Sequence, residues 1–245
     1  MKTSGNTVLV TGGSAGIGFA IAKQFSENGN KVIITGRNRQ KLEQAAASLK
    51  NTVAIVSDIT KDADVDGLVK QISKEYPGLN VIVNNAGFAA AYKLSAEAGA
   101  YEKASAEMLT NYLAIVRITE KLLPVLHSNA NAAIVNVTSI VAFSPNHFIS
   151  TYAASKAALH SYTQSLRITL AQTGHIKVFE LMPPLVNTDF SQSIGGEKGI
   201  PASQVADELF DALNSDVYEI HVGGTADLYR LFLSSPAEAL KAMNN

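Results

Sequence analysis

The sequence predicts an α/β fold, a doubly wound, mostly parallel sheet of seven strands with helices on both faces. Three observations carry this. Short runs rich in Val and Ile alternate with longer stretches of helical composition along the 245 residues. Several of those runs are apolar at consecutive positions, the pattern of a parallel strand covered on both faces. No repeat or low-complexity linker breaks the alternation, so right-handed crossovers would build a single sheet. A chain of this length is ordinary for one α/β domain, and 1–245 is read as one.

The strand runs are Thr7–Val10, Lys31–Thr35, Thr52–Ser57, Asn80–Val83, Ala132–Val137, Ile176–Leu181 and Val217–Val222. Helical composition covers Gly16–Asn28, Arg39–Lys50, Asp62–Tyr76, Ala104–Ser128, Thr151–Thr173 and Ser203–Asn214. The region around 185–201 is expected to be a flexible substrate flap, because Gly195, Gly196 and Gly199 cluster just before Pro201. Thr225–Asn245 reads as helical with a break at Pro236.

Composition excludes several chemistries. There are no cysteines, hence no disulfide, thiolate metal site or cysteine nucleophile. The five histidines show no metal-ligand spacing, and no metal site is expected. A net charge of −1 gives no general field for nucleic acid or an anionic membrane. No apolar run approaches the ~20 residues of a membrane span, and the N-terminal stretch is too polar for a signal peptide. A cytoplasmic protein with a small-molecule partner is the expectation.

The first strand runs into Thr11-Gly12-Gly13-Ser14-Ala15-Gly16-Ile17-Gly18, and a helix pattern follows at once. Glycines permit a tight turn and close approach of a ligand to the backbone. Free N–H groups at a helix start, aided by the helix dipole, favour an anionic pyrophosphate. Strand, glycine turn and helix in this order, opening a βαβ pattern, point to dinucleotide binding in a Rossmann fold. The spacing Thr-Gly-x-x-x-Gly-x-Gly resembles the short-chain dehydrogenase/reductase family.

The second strand ends at Gly36-Arg37, where NAD-selective Rossmann proteins place an acid on the ribose hydroxyls. An acid would repel a 2′-phosphate, whereas a guanidinium binds it. NADP(H) is therefore expected ahead of NAD(H), with Arg37 as its reader and Arg39 a weaker candidate. The resemblance further implies that Gly12, Ser14, Gly16, Ile17 and Gly18 bind the cofactor. It puts Asp58 and Ile59 at the adenine, and Asn84 and Ala86 in a motif closing over the cofactor, with Asn84 helping to hold the central sheet. After the sixth strand, Pro183, Val186 and Thr188 match the family pattern, and Val186 and Thr188 would hold the nicotinamide carboxamide.

Tyr152 and Lys156 stand four apart in Tyr152-Ala153-Ala154-Ser155-Lys156 and share a helix face. A phenol near pKa ~10 is a poor base at neutral pH until a cation favours the phenolate. Ser139 follows the fifth strand, and Asn111 lies in the long helix after the fourth. The resemblance, which runs from Thr7 to about Thr188, assigns Asn111, Ser139, Tyr152 and Lys156 to a catalytic tetrad. It implies that Ser139 and Tyr152 bond a substrate carbonyl, with hydride arriving from C4 of the nicotinamide. Tyr152 acts as general acid or base, and Lys156 lowers its pKa and contacts the nicotinamide ribose. Asn111 would hold a water that passes protons from Lys156 to solvent.

The chain departs from the family at Pro184, where a glycine is usual, and in the long segment after Gly224. Val141, Phe143, His147 and Phe148 fall in a loop that lines the substrate cleft in relatives. Pro184, Leu185 and Phe190 complete the expected pocket. In the family the two long helices build dimers and tetramers, so a homodimer or homotetramer is expected. The implied activity is an NADP(H)-dependent interconversion of a carbonyl and an alcohol. A 3-oxoacyl thioester reductase of lipid synthesis and an NADP(H)-binding regulatory protein without turnover are the alternatives.

Overall fold

The computed structural model describes residues 1–245, the side chain of Thr173 excepted. The chain runs β1 (Thr7–Thr11), α1 (Gly16–Glu27), β2 (Lys31–Gly36), α2 (Arg39–Ala47), β3 (Thr52–Val56), α3 (Asp62–Glu75) and β4 (Leu79–Asn84). It continues through α4 (Ala100–Met108), a π-helical turn (Leu109–Leu113), α5 (Ala114–His127), β5 (Ala133–Val137), α6 (Ser150–Thr173) and β6 (Lys177–Met182). Two short strands, β7 (Val186–Asn187) and β8 (Ile200–Pro201), precede α7 (Ala202–Ser215), β9 (Glu219–His221), α8 (Thr225–Ser234) and α9 (Pro236–Ala242).

The main sheet has seven strands in the order β3-β2-β1-β4-β5-β6-β9, and each pairing is parallel. The expected doubly wound α/β architecture is thus the observed one. Side chains alternate across a pleated strand. Val8 and Val10 therefore enter one apolar layer and Leu9 the other, and Val32, Ile34 and Ile33 divide the same way. Helices α1 and α7 cover the first layer; α5 and α6 cover the second. Strand order reverses beside β1, so the β1 and β4 carboxyl ends open the crevice where such folds bind ligands.

Three regions show local detail beyond the sequence pattern. The helix read over 104–128 begins at Ala100 and widens to a π turn at Leu109–Leu113. Such insertions occur often at functional sites. The region read as a flexible flap is folded into 3-10 turns at Asp189–Ile194 and Gly196–Lys198, closed by β7 pairing with β8. Its glycines serve close packing: a Cβ at Gly199 would lie 2.6 Å from Leu185 O, and one at Gly196 would lie 2.2 Å from Ser191 Oγ. The segment after Gly224 forms α8 and α9, which break at Pro236 as expected.

Candidate functional site

Two clefts meet at the carboxyl end of the sheet. A long groove of about 650 Å³ runs from Arg37, Asp58 and Ile59, past Gly12, Ser14, Gly16 and Ile17, to Ala86 and Lys156. A second cleft of about 600 Å³ is walled by Ser139, Val141, Phe148, Pro184 and Leu185. Tyr152, Ile17, Pro183, Thr188 and Phe190 border both. Ser139 thus faces the second cleft, Lys156 the groove, and Tyr152 the junction.

The groove exists because glycine lets elements touch. Gly12 has φ +66° and Gly16 φ +56°, in the left-handed region that disfavours a Cβ. A Cβ on Gly12 would sit 2.9 Å from Ala86 Cα. Helix α1 begins with no side-chain cap and no acid in its first turn, leaving its amides and dipole turned toward the groove. Thr11 fixes the facing loop: its hydroxyl accepts from the amides of Asn85 (3.0 Å) and Ala86 (3.1 Å). The Asn85 side-chain Nδ2 donates to Thr11 O and Gly12 O. An uncapped helix start behind a glycine turn fits a pyrophosphate, and the exposed Arg37 at one end of the groove suits a further phosphate.

Gly18 and Asn84 do not border the groove; both build the floor beneath it. A Cβ at Gly18 would lie 2.4 Å from Asn85 Nδ2 and from Gly12 O. Gly18→Ala is therefore expected to force the turn apart and cost roughly 1–3 kcal/mol, measurable by denaturant unfolding. Asn84 donates to Asn136 Oδ1 (2.8 Å), and Asn136 donates to Thr163 Oγ1 (2.9 Å), a buried ladder tying β4 and β5 to α6. Asn85 is the amide that sequence reasoning missed.

At the Arg37 end of the groove, burial works to raise the Asp58 carboxyl. Hydrogen bonds from the Thr60 hydroxyl (2.7 Å) and amide (3.0 Å), with Arg37 and Lys61 nearby, hold it below the usual range. Asp58 therefore both shapes its turn and borders the groove.

Tyr152 and Lys156 lie one turn apart on α6, with Lys156 Nζ 5.6 Å from the phenol ring centre. Lys156 is 4% exposed and donates to Val137 O at 2.8 Å. Burial lowers its ammonium to about 8, with the Glu180 carboxylate opposing. Burial pushes the Tyr152 phenol well above its usual range; the Ser139 hydroxyl pulls the other way and the Glu107 charge adds to the rise. The phenol is thus a proton donor in the bare protein, beside a cation able to stabilise its anion.

Asn111 is fully buried in the π turn. Its Oδ1 accepts from Phe88 N (2.8 Å), and its Nδ2 donates to Phe88 O (2.8 Å) and Ser155 Oγ (2.9 Å). The side chain holds the β4 loop against α6. Gly87 separates it from Lys156: a Cβ there would meet Asn111 Oδ1 at 3.3 Å and Lys156 Nζ at 3.9 Å.

Of the expected pocket residues, Val141, Phe148, Pro184, Leu185 and Phe190 line the second cleft, and Val186 joins them rather than the groove. His147 and Phe143 do not. The His147 ring turns outward onto Asn244, and Phe143 packs against Tyr229 and Phe232 of α8. Both miss because the loop lies under α8 and α9, which claim alternate side chains.

Sequence reasoning also missed Glu180, which is fully buried on β6. It accepts from Thr138 Oγ1 (2.7 Å) and pairs with His160 Nδ1 (2.8 Å). Thr138 precedes Ser139, and His160 lies one turn beyond Lys156, so Glu180 ties together the two elements that carry the site. A glutamate inside the apolar run Lys177–Met182 was the available signal.

Among the described residues no group of three or more His, Asp or Glu is placed to hold a metal ion, and no helix is long and apolar enough to cross a membrane.

Comparison with known proteins agrees with this geometry. The short chain dehydrogenase family pattern matches residues 6–199. The uncharacterized oxidoreductase DltE of Bacillus subtilis (strain 168) is 38% identical over 210 residues, 86% of this chain and 83% of that one. A short chain dehydrogenase from Burkholderia cenocepacia J2315, solved in complex with NADP, superposes with a TM-score of 0.86 at 27% identity, covering 99% and 98% of the two chains. A 3-ketoacyl-(acyl-carrier-protein) reductase from Brucella melitensis complexed with NADH gives a TM-score of 0.77 at 28% identity, over 86% and 92%. With the family pattern matched over most of its length, the chain belongs to the short chain dehydrogenases, a family of oxidoreductases.

Proposed function

We propose that this protein is an NADP(H)-dependent reductase of carbonyl compounds, or the alcohol dehydrogenase of the reverse reaction. One observation carries the reading: Tyr152 stands where the long groove meets the second cleft, with Ser139 on one side and Lys156 on the other. The turn Gly12–Ile17, Asp58, Ile59 and Ala86 would hold the dinucleotide, with Thr188 and Lys156 at its reactive end. A bound nicotinamide supplies the hydride for reduction and accepts it in oxidation. The protein's own residues do the rest. Ser139 and Tyr152 hold the substrate oxygen, and Tyr152 gives its phenolic proton to the oxygen as negative charge develops there. Donors aimed at that charge stabilise the transition state more than the ground state. Lys156 then stabilises the phenolate, since the Nζ cation lies close to the ring.

Preference for the phosphorylated cofactor rests on Arg37, which borders the groove where β2 ends, with Gly36 in the place of an acid. Arg37→Asp is expected to weaken NADPH about 10–100-fold, one lost charge-assisted contact plus a new repulsion, and to leave NADH nearly unchanged. Titration of both cofactors by fluorescence checks this. We further place the protein in the cytoplasm as a homodimer or homotetramer; exposed Leu113 and Ile168 on the two long helices support assembly there.

The reading is tested by mixing the protein with NADPH and a panel of ketones, aldehydes and 3-oxoacyl esters. Carbonyl-dependent oxidation supports it. Oxidation confined to the 3-oxoacyl esters would favour the thioester reductase, and tight NADPH binding with no turnover the regulatory protein.

A further inference from the structure

The second cleft has a wall that the family pattern, which ends at residue 199, does not reach. Met243 lines the cleft and packs against the apolar group of Val141, Ile149 and Ala153, together with Tyr152 itself. Its position is set by the next residue. Asn244 Nδ2 donates to Pro145 O (2.9 Å) and Leu240 O (2.7 Å), while its Oδ1 accepts from His147 N (2.9 Å) and lies 2.8 Å from His147 Nδ1. Both partners of Nδ2 are carbonyls, which fixes the amide orientation. Oδ1 can only accept, so His147 carries its proton on Nδ1. All four hydrogen-bonding positions of this asparagine are then filled. A fifth bond, Asn146 Nδ2 to Met243 O (2.7 Å), joins the same two segments, 97 residues apart in sequence.

The chemistry of the wall is the second observation. Among the described residues lining the cleft there is no Asp, Glu, Lys, Arg or His. Polar atoms come from Ser139, Tyr152, Asn146, Thr188 and two serines of the 3-10 turn, and the remaining surface is aliphatic or aromatic. A charged substituent entering here would lose its hydration and meet no counter-ion, a penalty of about 100-fold or more in binding.

We propose that Met243 and Asn244 belong to the substrate site. Met243 closes an uncharged cleft over Tyr152, Asn244 latches that wall to the loop 145–148, and the site selects neutral, hydrophobic carbonyl compounds against their carboxylated or phosphorylated counterparts. This rests on the reading of Tyr152 as the proton donor. The latch makes Asn244 a specificity-determining residue that never touches the reacting atoms.

The test pairs acetophenone with its para-carboxylate as substrates, and an acetonaphthone with its carboxylate as fluorescent ligands. Wild-type protein, Asn244→Ala and Met243→Glu are compared with NADPH present. The wild type is expected to favour the neutral member of each pair about 100-fold. Asn244→Ala is expected to raise KM for acetophenone about tenfold with kcat changed less, because wall and latch loosen without disturbing Tyr152. Met243→Glu is expected to weaken the neutral naphthyl ligand by a similar factor. His147→Ala, which removes only the side-chain half of the latch, should give a smaller effect of the same sign. Equal use of neutral and carboxylated partners, or unchanged KM and binding in both Asn244→Ala and Met243→Glu, overturns the proposal. The ligand arm separates the two readings. If no ketone is reduced yet the naphthyl ketone binds and Met243→Glu expels it, the cleft assignment stands and the reductase reading falls.

Discussion

Tyr152→Phe is expected to lower carbonyl reduction about 10²–10⁴-fold while NADPH binds as in the wild type. The substitution removes one oxygen and keeps the ring, which lies 6.1 Å from that of Phe190 between the two clefts. The packing is retained, so a melting temperature close to wild type is part of the expectation. What is lost is the proton donor. Burial holds the phenol protonated, and in the proposed mechanism Lys156, its Nζ 5.6 Å from the ring centre, would stabilise the anion left by transfer. A hydrogen bond made only as charge develops on the substrate oxygen affects kcat more than KM. Steady-state kinetics with cofactor titration therefore checks this, and near-wild-type turnover would remove Tyr152 from the chemistry.

The second large effect is expected at Glu180, which touches neither cleft. Glu180→Ala removes the nearer acceptor of buried Thr138, leaving Leu181 O at 3.5 Å, takes the counter-charge from buried Lys156, and leaves half-buried His160 with only the unbonded Glu219 charge. Breaking a buried pair from one side costs roughly 3–5 kcal/mol. The pH dependence has a definite sign. The bond to Glu180 raises the His160 imidazolium above the ordinary histidine range, though burial opposes. The pair's contribution is therefore complete below about pH 6.5 and is lost as pH climbs through the raised value. Urea unfolding at about pH 6 and about pH 9 should show the larger loss at the lower pH. Lys156 responds in the same variant. Glu180 favours its charged form, so removing the carboxylate lowers the lysine below its value of about 8. The alkaline limb of the rate profile then moves to lower pH. A destabilised variant with an unmoved profile would make Glu180 a packing residue alone.

The sheet was legible because its inner strands β1, β2, β4, β5 and β6 are buried on both faces, which favours apolar, often β-branched, side chains at consecutive positions. The glycine turn was legible because Gly12 and Gly16 occupy backbone conformations that other residues avoid. Tyr152 and Lys156 were legible because a one-turn helical separation is a local fact. What escaped depends on contacts between distant segments. Nothing around His147 indicates that Asn244 captures its ring, so the histidine was placed in the cleft when it lies outside. Met243 was invisible for the same reason, and the cleft wall it lines depends on how the segment after α9 docks. The surroundings of Asn111 were not legible either. The π turn that carries it has no marker in the composition of Leu109–Leu113, and its side chain proves to be held by Phe88 and Ser155. Glu180 was open to view, an acid among Val178, Phe179, Leu181 and Met182, but its link to the site runs through His160, one turn beyond Lys156 on α6.

In the proposed reaction, hydride and proton reach one carbonyl at the junction of the two clefts. Mass spectrometry of the alcohol formed from acetophenone and NADPH deuterated at nicotinamide C4 tests it directly. With both C4 positions labelled, one deuterium is expected on the carbinol carbon of each product molecule, formed by the wild type and lost with Tyr152→Phe. Alcohol without deuterium at that carbon, or labelled alcohol produced equally by Tyr152→Phe, would contradict it.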